Sequence, residues 1–452
     1  MNADLIIIGA GPGGYETALK AAGQGKSVIL FNGGRLGGTC LNEGCIPTKC
    51  LCRDAELISQ FKNGSEFGID DFSFSVDFNK IIARKKEVTD TLRQGVESLL
   101  NRAKVTVVNT TASFKDAKTV IADGEEYTAE NIIIATGSVS KSLPIPGHDL
   151  ECVMDSSRIL EIEYIPASLT IIGGGVIGME FASIFSQLGS KVTVIEFMKQ
   201  ILPPFDSDIA KRLKQTLSKK GINIITGAAA KEIRQNEFYE IEVVYDVKGK
   251  EEIVTSSDLL MAVGRTPNIK GLNLEAAGVN YSAKGIPVDD FMQTNVPGIY
   301  AIGDVNARMM LAHVATFQGD RALNVINRQP DKINFGIVPS AVFTVPECGM
   351  AGKTEEQCKS ENIEIKIGTS FFRANGKALA MGEPEGLCKL IFRKDNEQLI
   401  GAHIMGLEAA DLAQQCADLM NRETTLPELK EIIFGHPTVS EVILNAAHSV
   451  KS

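Results

Sequence analysis

Residues 37–49 read GGTCLNEGCIPTK, which sets Cys40 and Cys45 in a C-x4-C spacing. Thiols so placed can be buried and inert, can ligate a metal, or can form a redox pair. Cys50 and Cys52 extend the run to C-x4-C-x4-C-x-C. That pattern lacks the C-x2-C pairs of zinc ribbons and misses the ferredoxin spacings, so no metal site is expected. The redox reading has a physical basis. A helix is expected from about residue 45 to 60, with Cys45 at its start. A helix N-terminus and the nearby Lys49 both stabilise a thiolate. Gly37 and Gly38 leave backbone room for a planar ring to approach.

A second pair of reactive types lies near the C-terminus, in GHPTVSE, where Glu441 follows His436 by five residues. Pro437 makes 436–438 a turn, and a helix is expected from near Thr438. Imidazole and carboxylate can then meet, which raises the imidazole's basicity and fixes its tautomer. The plainer alternative is a surface His-Pro turn. Taken alone, Lys49 and Glu180 are ordinary surface charges, and Asp304 is a residue of a solvated turn.

These side chains need elements to position them. DLIIIGAGPGGYETALKAAGQGKSVILFN begins at Asp4, and SLTIIGGGVIGMEFASIFSQLGSKVTVIE begins at Ser168. Each is an apolar strand, a glycine-rich turn, a helix of apolar spacing and a second apolar strand: a βαβ unit, twice. The turns carry Gly9, Gly11 and Gly14, then Gly173, Gly175 and Gly178. In GxGxxG the first glycine permits the tight turn and the second lets backbone approach a pyrophosphate. The third lets helix pack on strand, aiming the helix N-terminus at the phosphates. Glu196 closes the second strand, where a carboxylate accepts from both ribose hydroxyls and repels a 2′-phosphate, so NAD is expected over NADP. The first unit carries Asn32 at the matching place. It accepts from a ribose hydroxyl without charge, and Asn32→Glu is expected to hold the dinucleotide more tightly. Two dinucleotide sites and one dithiol suggest a chain of carriers: dithiol, flavin, nicotinamide.

The 452 residues carry a net charge of −10, which argues against nucleic acid and anionic membranes as partners. No apolar run reaches the roughly 18 residues of a membrane span. A strand-like segment follows the first methionine directly, so no signal or transit peptide is expected to remain. Nine cysteines is an odd number and a low density, which fits a reducing compartment better than a secreted disulfide framework. Cys152, Cys348, Cys358, Cys388 and Cys416 are expected to be core thiols, and Cys50 and Cys52 to serve helix packing.

Between the two units, Phe78 to Leu100 has helical apolar spacing, and LPIPG at 143–147 reads as a linker. Helices are expected at about 206–220 and 312–328. From about 337 the pattern becomes strands (SAVFTVPE, IEIKIGTSFF, LCKLIF, LIGAHIMG) followed by helices, an α+β arrangement.

GGTCLNEGCIPTK resembles the active-site segment of flavin-dependent pyridine nucleotide-disulfide oxidoreductases. ATGS at 135–138, AVGRTPN at 262–268, YAIGDV at 300–305, LAHVATFQG at 311–319 and GHPTVSE at 435–441 match that family's segments in order. The resemblance implies an α/β fold of two Rossmann-like domains plus a C-terminal α+β dimerisation domain. Its implied bounds are an FAD domain at 1–147, an NAD domain at 148–267, a central domain at 268–336 and an interface domain at 337–452. It implies that Cys40 is the exchange thiol and Cys45 the flavin-side thiol. Lys49 and Glu180 would pair beneath the flavin. Thr136, Gly137, Asp304 and His313 would join Lys49, Asn32 and the first glycines at FAD, and Gly264 would join the second glycines and Glu196 at NAD. His436 would be the acid/base that serves the thiols across a homodimer interface, steadied by Glu441.

CIPTK, LAH and Glu196 lean toward the branch that reoxidises dihydrolipoamide. Its partners would be lipoyl-bearing proteins of 2-oxo acid dehydrogenase complexes or the glycine cleavage system. The expected location is the cytoplasm, or the mitochondrial matrix after loss of a transit peptide. Other readings stay open: an NADH-dependent reductase of another disulfide, a flavoprotein sensing subunit without turnover, or a metal-clustered electron carrier.

Overall fold

The computed structural model describes residues 1–71 and 73–451. Strand β1 (Asn2–Ile8) buries Leu5 to Ile8 completely, as a parallel strand covered on both faces must. Helix α1 (Pro12–Gly23) returns the chain to β2 (Val28–Phe31), parallel to β1. The cysteine segment follows as two helices, α2 (Gly38–Glu43) and α3 (Cys45–Lys62). The apolar spacing after residue 78 forms α4 (Phe78–Arg102), whose N-cap Asp77 accepts the Lys80 N–H. Then come β3 (Thr106–Val108), β4 (Ser113–Phe114), β5 (Thr119–Ala122) and β6 (Glu125–Ile134). The first part of β6 pairs antiparallel with β5 and the remainder runs parallel to β1, so one strand serves two patterns.

The next stretch comprises β7 (Ser138–Ser140), β8 (Val153–Met154), β9 (Ser168–Ile172), α5 (Val176–Leu188), β10 (Lys191–Glu196), α6 (Ser207–Lys219) and β11 (Asn223–Thr226). An antiparallel meander of β12 (Ala228–Gln235), β13 (Ile241–Val247) and β14 (Lys250–Ser256) precedes β15 (Asp258–Met261). The second parallel sheet has the order β11-β10-β9-β15-β8. The short β16 (Arg265–Pro267) pairs with β7, so the chain's exit from this part lies against its entry. The LPIPG segment is irregular, and a Cβ at Gly147 would stand 1.8 Å from the Ile233 carbonyl oxygen.

Strand β17 (Ile299–Ala301) returns to the first sheet beside β6. Helix α7 (Ala312–Ile326) packs so closely on α1 that a Cβ on Gly319 would overlap the Thr17 hydroxyl, and one on Gly13 would press on Ala315. The C-terminal part contains β18 (Ser340–Val342), β19 (Glu347–Gly352), α8 (Glu355–Ser360), β20 (Ile365–Phe371), α9 (Gly376–Ala380), β21 (Leu387–Arg393) and β22 (Leu399–Gly406). These strands form an antiparallel sheet, covered by α10 (Ala409–Asn421), α11 (Leu426–Glu431) and α12 (Glu441–His448). Strands followed by helices bear out the α+β reading.

Two local expectations need correction. The last helix begins at Glu441, not near Thr438, because the Glu441 carboxylate first accepts the Thr438 N–H at 3.0 Å and holds 438–440 as a turn. Cys152 is half-buried beside the second sheet's core, whereas Cys348, Cys358, Cys388 and Cys416 are fully buried.

Candidate active site

A cavity of about 1010 Å³ opens where the first sheet ends. It lies at the upper end of the range for small-molecule sites, roughly 300–1,000 Å³. Its wall includes the first glycine turn, the cysteine helices, Thr136 to Ser138, the start of α5, and Gly303–Asp304. The glycines there answer to geometry. Gly9 has φ +111, and a Cβ on it would meet the Ala135 carbonyl at 2.3 Å; one on Gly14 would strike the Gly9 carbonyl at 1.8 Å. At Gly11, the α1 N-cap, a Cβ would meet nothing nearer than 4.0 Å, so that space is open, and no side chain caps the helix. Free backbone N–H groups beside open space suit a pyrophosphate.

Asn32 is buried at the end of β2, lines the cavity, and donates to the Gly34 carbonyl at 3.1 Å and to Asn109 Oδ1 at 3.0 Å. A glutamate there would set its carboxylate against two acceptors, which reverses the expected benefit of Asn32→Glu. Thr136 Oγ1 donates to the Asn268 carbonyl at 2.7 Å, and Gly137 adopts φ +70. Asp304 accepts from the Ser138 hydroxyl, and Arg265 in turn donates to Ser138 Oγ and to its carbonyl, each at 2.7 Å.

The dithiol sits on this wall. Cys40 lies in α2, Cys45 is the first residue of α3, and both are free thiols. Asn42 pins α2 by donating to the Leu36 and Gly38 carbonyls, both at 2.9 Å. Gly37 and Gly38 have φ +89 and +58, and a Cβ at Gly38 would stand 2.6 Å from the Gly11 Cα. A side chain at Gly38 would therefore strike the first glycine turn, and its backbone lines the cavity. Cys40 and Cys45 hydrogen-bond to each other, with opposite consequences. The hydrogen bond from Cys40 is the largest influence on Cys45 and, with the Lys49 charge, outweighs burial to hold its pKa at about 7. Donating that bond, together with burial, pushes the Cys40 thiol far up.

Lys49, one turn along α3 from Cys45, reaches both oxygens of the buried Glu180 on α5 at 2.9 Å. Burial alone would lower the Lys49 pKa, but the charge and hydrogen bonds of Glu180 raise it. The lysine stays cationic at the cavity edge, with its ammonium 4.5 Å from the Phe343 ring centroid. Phe343 also donates its N–H to Glu180 Oε1 at 2.9 Å. No local signal in the sequence marked Phe343. Arg265 and Asn268 lie inside AVGRTPN, where nothing in the sequence alone sets them apart. Cys52 faces the Phe343 carbonyl at 3.4 Å, and burial pushes its thiol up, leaving it unreactive. Cys50 is buried in the packing of α3.

The second glycine turn repeats the first. Gly173 has φ +111 with a Cβ position 2.3 Å from the Ala262 carbonyl, and a Cβ at Gly178 would stand 2.0 Å from the Gly173 carbonyl. Around Gly175, the uncapped N-cap of α5, a Cβ would meet nothing within 4 Å. Glu196 is buried at the end of β10, and its carboxylate accepts the N–H groups of Gly174 and Met198. Gly264 has φ +107. Neither it nor Glu196 lines the large cavity, whose wall on this side is Val176, Ile177 and Glu180. His313 is also off the wall; it pairs with the Pro339 carbonyl at 3.0 Å, and burial lowers its pKa.

His436 and Glu441 do meet: Nδ1 lies 3.0 Å from Oε1. The Thr438 N–H and the imidazole together lower the Glu441 pKa. This pair is not on the cavity wall, and the imidazole is 79% exposed on a surface where Ile433 is 96% exposed. Among the described residues, no group of three or more His, Cys, Asp or Glu is gathered to hold a metal, and no helix is long and apolar enough to cross a membrane.

Two glycine turns of the same build and an acidified thiol beside a dinucleotide-sized cavity define a flavoprotein-type redox site. The family model described as pyridine nucleotide-disulphide oxidoreductase matches residues 3–319, and that family's dimerisation domain matches 338–447. A dihydrolipoyl dehydrogenase of Bacillus subtilis (strain 168) is 40% identical over 449 residues, covering 98% of this chain and 97% of that protein. One from Chlamydia muridarum (strain MoPn / Nigg) is 38% identical, covering 98% and 96% respectively. Among solved structures, the HOCl-induced flavoprotein disulfide reductase RclA from Escherichia coli aligns with a TM-score of 0.89 at 29% identity, over 99% of this chain and 100% of that one. The chain belongs to the pyridine nucleotide-disulphide oxidoreductase family. It is an enzyme that couples a disulfide to NAD through FAD.

Proposed function

We propose that this enzyme reoxidises dihydrolipoamide carried on lipoyl-bearing proteins, with Cys40 and Cys45 as its redox pair. One observation carries the reading: Cys45 opens onto the cavity at the start of α3, beside the Lys49–Glu180 pair. The first glycine turn, Asn32, Lys49, Thr136, Gly137 and Asp304 would hold FAD. Gly173, Gly175, Gly178, Glu196 and Gly264 would hold NAD. FAD held there would supply the two-electron relay between the reduced thiols and NAD+.

The side chains do the rest. In the oxidised pair, a substrate thiolate attacks Cys40, and Cys45 leaves as a thiolate that the nearby Lys49 charge favours. The second substrate thiol then attacks the mixed disulfide, releasing the cyclic disulfide and the Cys40 thiol. His436 of the opposite protomer of a homodimer takes the substrate proton, and Glu441 steadies the imidazolium. Its exposure, away from its own chain's cavity, suits service to a second copy.

Curated relatives named dihydrolipoyl dehydrogenase favour this substrate, and their bacterial origin suits a cytoplasmic setting. The carriers would belong to a 2-oxo acid dehydrogenase complex or the glycine cleavage system. Likeness to a disulfide reductase, RclA, favours a second reading in which another disulfide is reduced. NADH-driven reduction of lipoamide, glutathione disulfide and cystine separates the two. Lipoamide is expected to be turned over at least tenfold faster per unit concentration, and a preference for another disulfide would overturn the assignment.

A further inference from the structure

The two glycine turns share a detail that neither motif encodes. In the first, the carbonyl of Ala10, between Gly9 and Gly11, accepts the N–H of Gly37 at 2.9 Å. In the second, the carbonyl of Gly174 accepts the N–H of Leu202 at 2.8 Å. Both donors lie a few residues beyond the second strand of their βαβ unit. Both are left-handed, with φ 89 at Gly37 and φ 47 at Leu202. Glycine adopts that conformation freely; leucine resists it through its Cβ. The second unit thus places a strained residue where the first has an unstrained one.

What the strain accomplishes follows from the peptide plane. A carbonyl and the N–H of the next residue lie in one plane and point in opposite directions. Drawing the Gly174 carbonyl toward Leu202 fixes the Gly175 N–H in the opposite direction, at the uncapped N-cap of α5. The Gly174 N–H is held on Glu196, so the middle residue of the turn is pinned at both ends. The Leu202 side chain is fully buried in the large core that includes α5 and α6. Its carbonyl accepts the Phe205 N–H at 2.8 Å, and the next residue, Asp206, is fully buried and anchored by Lys389 at 3.0 Å. Core packing therefore fixes a backbone donor.

We propose that Leu202 is a positioning residue for the nicotinamide dinucleotide, its left-handed backbone setting the Gly174–Gly175 peptide for pyrophosphate. This rests on the reading that the second glycine turn holds NAD. The test uses FAD-loaded enzyme and follows anaerobic flavin reduction by NADH, which needs no disulfide substrate. Leu202→Ile and Leu202→Met are both apolar and close in volume, but the β-branch of isoleucine resists positive φ far more. Half-maximal reduction by Leu202→Ile is expected at about fivefold more NADH than by Leu202→Met, a difference of about 1 kcal/mol from RT ln 5. Limiting rate and FAD content should match between the two. Equal NADH dependence would overturn the proposal.

Should Leu202→Ile fail to fold, Leu202→Gly and Leu202→Ala ask the same question in a smaller side chain. The glycine variant should need less NADH than the alanine variant, and the opposite order contradicts the inference. Gly175→Leu distinguishes a failure of the NAD assignment from a failure of the Leu202 role. If it leaves NADH dependence at the parental value, the NAD reading of this turn falls, and the inference with it. If it raises the NADH requirement while the Leu202 pairs stay equal, the inference alone falls.

Discussion

At the scale of single residues, Cys45 offers a direct pH test. A thiol whose pKa lies at about 7, below the ordinary 8.5, is a thiolate above neutral pH and is protonated as pH falls through 7. In dithiol-reduced enzyme, alkylation of Cys45 should rise with pH and reach half its plateau near 7. Cys40→Ala removes the largest favourable influence and should move that midpoint upward; an unchanged midpoint would show that the Cys40 hydrogen bond is not its cause. Asn32 gives a second test. Its amide donates to two carbonyl-type oxygens, so Asn32→Glu should lose FAD more readily on dialysis, and tighter retention would contradict the geometry. The sequence announced an uncharged ribose neighbour here but not the reason for it, since Asn109 lies 77 residues away. Lys49 and Glu180 show the same limit: 131 residues separate them, and only the family resemblance paired them.

At the scale of elements, the glycine turns were legible because their geometry is local. A positive φ at Gly9 and Gly173 and the helix-on-strand contacts of Gly14 and Gly178 follow from residues within one βαβ unit. The division of β6 between parallel and antiparallel partners was not legible, because it depends on strands brought in from both sides. Nor was the clasp between α6 and the C-terminal sheet. Lys389 of β21 is buried and reaches Asp206 at 3.0 Å, Asp208 at 2.8 Å and Glu355 at 2.7 Å. Burial would lower its pKa, but these three carboxylates more than compensate and hold it above the usual lysine value. Lys389→Met leaves Asp206 buried without its cation, and losing one partner of a buried pair costs about 3–5 kcal/mol. Urea unfolding of the holoenzyme should show that loss, and a change below about 1 kcal/mol would mean that Asp206 finds another partner or a proton.

At the scale of the whole molecule, two dinucleotide folds and a dimerisation domain have to cooperate. The cavity wall draws on the first sheet, the cysteine helices and the start of α5, whereas His436 points outward from the C-terminal part. Exposure of a catalytic-type pair, with Ile433 almost wholly exposed nearby, makes sense if a second copy covers that face. General acid–base groups contribute about 10²–10⁴-fold. His436→Gln should therefore lower dihydrolipoamide turnover by that order while leaving NADH reduction of the flavin intact, and equal damage to both half-reactions would deny the pair its role.

The central claim is that electrons from a dithiol substrate enter at Cys40, pass through Cys45 and leave on NAD+. Steady-state oxidation of dihydrolipoamide by the FAD-loaded enzyme, with NAD+ and with NADP+, beside FAD-loaded Cys45→Ser, tests it most directly. Turnover with NAD+, little with NADP+, and none above background in Cys45→Ser is the predicted result. Robust turnover by the Cys45→Ser enzyme would contradict it.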